Sequence, residues 1–338
     1  MTMIWRTLTT ACLALAILLG SGLPDARAGA PADKPLKKVT FLTNYVFHGR
    51  HSPFFVGLEK GYYKEAGIDI QISPSTGSGF VVTAVDGGKA DYGMAESTSV
   101  VQAIGKGAKV KGFNVFMDIT TSGLASLTPY QTPESLNGKT VAAAVTDSAR
   151  VILPILFNQK GLDPNTVKWQ AADPGVYFSL LLDGKVDLFT ASIDGDVPAL
   201  MRVASPLGKT VHFSSFADWG YDVFGYFLVA SAEKIASSPD EVRAFSEATV
   251  KAVKYAMENP EETARIMVKY NPTLNFDTTL AQWRQSIKAL NTAYVKQNGY
   301  GVATPDRLQR TINLVKQAFK SEAALTPNDI YAIGFVAR

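Results

Sequence analysis

The chain has 338 residues, with 33 Lys and Arg against 30 Asp and Glu, 46% hydrophobic residues and 19% charged ones. That length allows two domains of ordinary size, and the apolar fraction belongs to a globular protein, not a disordered one. A net charge of +3 is too small for the concentrated basic face that nucleic-acid binding requires, so no nucleic-acid partner is expected.

Residues 1–28 read as a secretory signal peptide. Arg6 supplies the positive start, residues 8–19 are apolar apart from Thr9, Thr10 and Cys12, and Ala26-Arg27-Ala28 has the small-x-small form of a cleavage site. The apolar core is too short to span a bilayer, and no later stretch is long and apolar enough, so no stable membrane insertion is expected. Cys12 is the single cysteine and leaves with the signal. The mature chain then has no disulfide, no thiolate nucleophile and no Cys-ligated metal. An exported chain of this kind is expected in the periplasm.

Further along, short β-rich runs alternate with helical ones. Residues 38–43 read as a strand. Pro53 opens a helical stretch that ends at Gly67, with Pro in the first turn and Gly past the end. Residues 68–72 alternate Ile-Asp-Ile-Gln-Ile as a strand does. A helix is predicted over 79–85, then strands over 92–95 and 109–116. Such alternation argues for parallel-type sheets flanked by helices.

One motif occurs twice. Gly88-Lys89-Ala90-Asp91-Tyr92 returns as Gly184-Lys185-Val186-Asp187-Leu188, each time after an apolar helix-like run and before a segment of small residues. A helix-to-strand turn by itself favours Gly and Lys there. The matching surroundings favour two lobes built on one α/β plan.

The second lobe is expected over 131–230. Leu136-Asn137-Gly138-Lys139 makes a turn before a strand at 140–145, and Ser148 is expected to cap a helix that stops at Gly161. A strand at 224–230 returns the chain to the first lobe. Residues 237–321 are mostly helical, with starts at Ser238-Pro239-Asp240-Glu241 and Asn259-Pro260-Glu261-Glu262. Lobe one is thus discontinuous, 29–130 plus 231–338, with crossings near 130 and 230 that would form a hinge.

Catalytic signatures are few. Ser78 in Thr76-Gly77-Ser78-Gly79-Phe80 lacks the Gly two places before it that a nucleophile elbow requires, and no P-loop spacing occurs. His48 and His51 stand three apart without an acidic or His cluster at metal-ligand spacing, so no metal or other cofactor is expected. What remains is small-molecule contact chemistry. Ser78 and Gly79 lie at one predicted helix start, and Thr146, Asp147 and Ser148 at another, where free backbone N–H groups can hold a polar ligand edge. Tyr45, Phe47, Phe54, Phe178, Trp219, Tyr221 and Tyr226 are candidates to stack on a flat ligand. Tyr45 and Trp219 are preferred because they sit in polar, turn-like stretches.

The run Asn44-Tyr45-Val46-Phe47-His48-Gly49-Arg50-His51-Ser52-Pro53-Phe54-Phe55, followed by Gly61-Tyr62-Tyr63-Lys64-Glu65-Ala66-Gly67-Ile68-Asp69-Ile70, resembles a known family. With the Gly-Lys-Ala-Asp-Tyr step and the Leu-Asn-Gly-Lys turn in the same order, the chain is similar to the periplasmic substrate-binding proteins of ABC importers of the NMT1/THI5-like group. These are related to sulfonate and nitrate binders. The resemblance implies a type II periplasmic binding fold: two α/β lobes, a two-strand hinge and a ligand cleft between them. It implies that Asn44 and His51 hydrogen-bond a thiamine-precursor pyrimidine or related ring, with Tyr45 in place of the Trp that stacks on it. Phe47 and His48 depart from the Pro and Asn of that branch's motif. An acidic residue of the second lobe, Asp194 or Asp196, would take the amidine edge.

The sulfonate and nitrate branch holds anions by helix starts and an occasional Arg, a role open to Arg50 and Arg150. The family also contains an enzyme that makes the thiamine pyrimidine from its own active-site His with iron and a cysteine-rich segment. An exported, cysteine-free chain is not expected to be that enzyme. The expectation is therefore a monomeric, non-enzymatic receptor that delivers a small flat heterocycle to a permease and its ATPase, with a sulfonate, nitrate or aromatic carboxylate as the alternative solute and an exported enzyme using His51 as the alternative class. Its contacts would be Asn44, Tyr45, His51, Ser78, Gly79, Ser148, Asp194 or Asp196, and Trp219.

Overall fold

The computed structural model describes residues 35–336. The expected signal peptide, with Cys12, lies outside the described residues. No described helix is long and apolar enough to cross a membrane.

Among the described residues, ten strands form two five-stranded sheets. They are β1 (Lys37–Leu42), β2 (Ile68–Ser73), β3 (Tyr92–Glu96), β4 (Val110–Met117), β5 (Ser122–Ser126), β6 (Thr140–Ala143), β7 (Lys168–Ala171), β8 (Leu188–Ser192), β9 (His212–Ser215) and β10 (Tyr226–Ser231). The first sheet runs β2-β1-β3-β10-β4 and the second β7-β6-β8-β5-β9. β1, β2 and β3 pair in parallel, as do β6, β7 and β8. β10 enters the first sheet antiparallel to β3 and β4, and β5 enters the second antiparallel to β8 and β9. Each sheet is thus a parallel βαβ unit completed by a strand that has crossed over, the type II arrangement.

Crossings at 118–121 and 216–225 link the sheets. They stand short of the expected positions near 130 and 230. β5, expected in lobe one, bonds in the second sheet, and β10, inside the range given to lobe two, bonds in the first. The reason is local. Gly225 N–H donates to Met117 O at 3.1 Å, and Ser97 N–H to Gly225 O at 2.9 Å, which pins the return crossing to the ends of β3 and β4. The helix Pro305–Phe319, assigned by sequence to lobe one, packs on Ser97–Gly105 and on Ala149–Gln159 of the second lobe.

Alternation in β2 buries Ile68 and Ile70 and exposes Asp69 and Gln71. The first sheet's outer core is aromatic: Tyr92 stacks on Phe245 with centroids 4.2 Å apart, and Trp283 is fully buried with its Nε1–H on Ala256 O at 2.9 Å. A single buried ring of this kind stabilises by roughly 1.5–3 kcal/mol. The predicted helix over 53–67 is two pieces, Ser52–Glu59 and Tyr62–Glu65. Gly61, at φ 74°, breaks it, because a left-handed residue cannot continue an α-helix.

The repeated motif is a repeated device. Asp91 Oδ2 accepts from Thr40 N–H at 2.8 Å, and Asp187 Oδ2 from Thr140 N–H at 2.8 Å. The preceding glycines, Gly88 and Gly184, sit at φ 68° and 69°. In both lobes the Gly turns the chain out of a helix and the Asp pins the next strand to its parallel neighbour.

Candidate functional site

The site stands between the carboxyl ends of the two sheets, where open α/β sheets bind ligands. The loop after β1 carries Asn44, Tyr45, His48 and Arg50. The loop after β6 carries Asp147, Ser148 and Ala149, and β8 with its following turn carries Thr190, Ser192 and Asp196. Ser122, Gly123, Phe216 and Tyr226 close the hinge side. The enclosed space is about 40 Å³. That is room for a few waters, at roughly 10–15 Å³ for one, so a ring-sized ligand enters only when the lobes separate.

The lobes meet on both flanks of this space. Gly79 N–H donates to Thr146 O at 3.0 Å, and Thr76 and Thr146 hydroxyls are 3.3 Å apart. Gly77, at φ 152°, allows the approach: a Cβ there would lie 2.5 Å from Thr146 O. On the other flank the loop after β1 docks on the helix Phe276–Leu290. Gly49 N–H donates to Gln282 Oε1 at 2.9 Å, and Gln282 Nε2 donates to Gly195 O at 2.6 Å.

The two candidate carboxylates differ completely. Asp194 is fully buried and paired with Arg50, whose Nε donates to Oδ2 at 2.9 Å and whose Nη2 donates to Oδ1. Ser286 Oγ–H adds a bond to Oδ2 at 2.8 Å. Burial disfavours both charges, yet each holds the other ionised: Asp194 lies below the ordinary aspartate range and Arg50 is raised. Arg50 also reaches Thr121 Oγ1 at 2.6 Å and lies 4.5 Å over the Tyr226 ring. Asp194 is therefore a structural partner and leaves the list of ligand contacts. Asp196 lines the cleft, with Oδ2 accepting from Ser192 N–H at 2.8 Å, and burial pushes its carboxyl up to about 6.

Of the other predicted residues, Asn44, Tyr45 and Ser148 line the cleft together. Ser148 is not the helix cap. Its backbone is helical, and Asp147 Oδ1 accepts from Ala149 N–H at 2.8 Å instead. Asp147 Oδ2 accepts from Thr190 Oγ1–H at 2.7 Å, and burial raises its pKa. His51 is buried behind the wall, its Nε2 on Asn44 Oδ1 at 3.0 Å, so it orients Asn44 and does not reach the space. Ser78 Oγ accepts from Glu96 N–H at 3.0 Å, and Gly79 is committed to Thr146; neither lines the cleft. Trp219 donates its Nε1–H to Gln131 O at 2.8 Å, in a separate surface hollow. Arg150 donates to the carbonyls of Ala144 and Ala143.

Sequence reasoning did not choose His48, Asp147 as a ligand contact, Thr190 or Ser192. Asp147 carried a usable signal, an acid at a helix start after a strand. The β8 residues look like any small-residue strand. Tyr45 Oη and His48 Nε2 are buried with no hydrogen-bond partner. Buried polar groups are nearly always satisfied, so such atoms mark where a ligand or water supplies the missing partner. Burial raises the Tyr45 phenol, and burial with the Arg50 charge beside it lowers His48, so both are neutral near pH 7.

Residues 48–263 match the family model described as NMT1/THI5 like, more than half of the chain, and the protein belongs to this family. Among curated proteins it is 25% identical over 299 residues to 4-amino-5-hydroxymethyl-2-methylpyrimidine phosphate synthase THI13 of Saccharomyces cerevisiae, covering 82% of this chain and 87% of that one. The protein of the same activity from Legionella pneumophila is 24% identical, covering 70% of this chain and 75% of that relative.

Among solved structures, the alkanesulfonate-binding protein SsuA from Xanthomonas axonopodis, bound to MOPS, superposes with TM-score 0.68 at 12% identity, covering 90% of this chain and all of that one (100%). A Candida albicans protein described as having the generic periplasmic binding protein fold gives TM-score 0.65 at 13% identity, covering 88% and 96%. At these identities the structures establish the fold alone. The curated relatives correct one expectation. The chain was expected not to be an enzyme, yet the curated proteins it matches over most of its length are named as synthases. The cysteine argument behind that expectation concerned one mechanism and said nothing about others. Among the described residues, no group of three or more His, Cys, Asp or Glu stands close enough to hold a metal ion. The iron associated with the synthase by resemblance has no such donor set among the described residues.

Proposed function

We propose that the chain captures a flat, nitrogen-rich heterocycle of the aminopyrimidine class in the cleft between its sheets and, as a monomeric periplasmic receptor, passes it to an ABC permease and its ATPase. The observation that carries this reading is the charge of the walls. Asp147 and Asp196 offer carboxyl oxygens to a ligand, while both nearby guanidiniums, Arg50 and Arg150, are already engaged by protein oxygens. Such a cleft suits a donor-bearing, amidine-like edge and repels a sulfonate or nitrate. Tyr45 would lie against the ring, Asn44 would bond its edge, and Ser148 would add a donor. Closure follows only if the ligand binds the closed form better than the open one. The test is calorimetric titration with 4-amino-5-hydroxymethyl-2-methylpyrimidine, an alkylsulfonate and nitrate. Binding of the pyrimidine alone supports the reading; preference for either anion overturns it.

A second reading is favoured by the printed activity of the curated relatives: formation of the pyrimidine phosphate itself. The cleft would then be the place where the ring is made. Mass spectrometry separates the two, on the titrated samples and on protein incubated with a phosphorylated precursor that supplies the phosphate. Ligand recovered unchanged supports capture, and a new pyrimidine phosphate supports synthesis.

A further inference from the structure

A larger groove adjoins the cleft on the outer side of the loop after β1. Tyr45, His48 and Asp196 belong to both walls, and the groove encloses about 320 Å³ against about 40 Å³ in the cleft. That is the size of a small-molecule site, roughly 300 Å³ upward. Its surface is mainly apolar, from Phe47, Phe178, Val203 and Leu274, and Asp196 and Arg202 are its two formally charged residues. Asp196 Oδ2 accepts from Ser192 N–H and Oγ–H, which fixes the carboxyl in the wall shared with the cleft. Arg202 forms no salt bridge among the described residues and is exposed to solvent.

The second observation is the state of His48. Its Nδ1 accepts from Arg50 N–H at 3.4 Å, and the neutral ring then carries its proton on Nε2. That Nε2–H is buried and has no acceptor. It faces Gly195, a groove residue: a Cβ at Gly195 would lie 3.0 Å from Nε2. The groove thus presents one unanswered buried donor, one free cation and an aromatic wall.

We infer that this groove is a second binding site, for an aromatic ring bearing one oxyanion, whose oxygen accepts from His48 Nε2–H while Arg202 balances its charge. A carboxylate and a phosphate ester share this chemistry. The site shares Tyr45, His48 and Asp196 with the cleft but takes a ligand of opposite charge preference, so either assignment can fail without the other.

The test is titration of the protein with benzoate, phenyl phosphate, benzyl alcohol and acetate, with the His ring nitrogens followed by NMR. One or both aryl anions should bind at least about tenfold tighter than benzyl alcohol and acetate, roughly 1.4 kcal/mol. Binding should move the His48 Nε2 resonance. Arg202→Ala, at an exposed position that leaves folding intact, should remove the advantage and Arg202→Lys should restore part of it. Saturating 4-aminopyrimidine should not displace the aryl anion. The inference is overturned if all four probes bind equally weakly, if Arg202→Ala changes nothing, if the His48 signal stays still, or if the aminopyrimidine competes. A protein that binds no aminopyrimidine but passes these tests loses the cleft reading and keeps the groove.

Discussion

The two lobes share a scaffold and differ in what they build on it. In both, Gly at positive φ followed by Lys-x-Asp ends a helix, and the Asp carboxylate takes a strand N–H at 2.8 Å. Beyond the strand ends the likeness stops. The loop after β1 carries a His pair and a guanidinium bound into a fully buried ion pair. The loop after β6 is short and presents Asp147 to the cleft. What is repeated is the geometry that aims strand ends at the cleft. What diverges is the chemistry placed there, with bonding groups from one lobe fixed by the other.

The largest test of that difference is Arg50→Ala. It strips Asp194 of its counter-charge while leaving the carboxylate buried. Removing one partner of such a pair costs about 3–5 kcal/mol. Urea denaturation should show that loss, and Asp194→Asn should cost more stability than Asp196→Asn, whose side chain is only half-buried. Equal losses for the two Asp variants would mean that Asp194 is not the structural member.

Next in size is Asp147→Asn. If the second lobe supplies the ligand's charged partner, aminopyrimidine affinity should fall by about 1.5–3 kcal/mol, the range for hydrogen bonds to a charged group. Calorimetry decides it, and an unchanged Kd would leave Asp196 as the second lobe's charged partner. Asp91→Ala and Asp187→Ala, which hit the shared scaffold, should alter stability and not affinity.

A smaller effect is expected from pH. Burial raises Asp196 to about 6, above the roughly 3.9 of a free aspartate. The folded state therefore binds the proton more tightly, and the contribution of Asp196 to stability falls as pH rises from about 4 through about 6. Affinity for a donor-edged ligand runs the other way, rising through about pH 6 as the carboxylate forms. Asp196→Asn should flatten both slopes relative to the parent protein, a comparison in which the ligand's own titration cancels. A slope that survives the substitution belongs to another group, such as Asp147, which burial also raises.

The strands, the long C-terminal helices and the repeated turn were legible because each rests on local rules: alternation, Pro at helix starts, Gly at helix ends. β5, β7, β8 and β9 were not, because each is only four or five residues long and only pairing in the second sheet makes it a strand. That miss displaced the expected crossings. In the site, Asn44, Tyr45, Ser148 and Asp196 could be named from motif and region. The choice between Asp194 and Asp196 could not, since it depends on Arg50 and Ser286, which are distant in sequence. Ser78 and Gly79 were named as free donors because a helix start looks free until the opposite lobe is seen against it.

The smallest effect sharpens the comparison by being absent from binding. Trp219 sits in the return crossing, neither in the loop after β1 nor in the loop after β6. It stacks at a tilt on Phe216, centroids 5.9 Å apart, and gives its N–H to Gln131 O. Trp219→Phe removes one hydrogen bond and keeps most of the ring, so stability should fall by about 0.5–1.5 kcal/mol with aminopyrimidine affinity unchanged. Phe216 does line the cleft. A loss of affinity in Trp219→Phe would therefore show that the crossing transmits strain to the ligand through Phe216, and that the hinge, and not the two loops alone, sets the shape of the closed site.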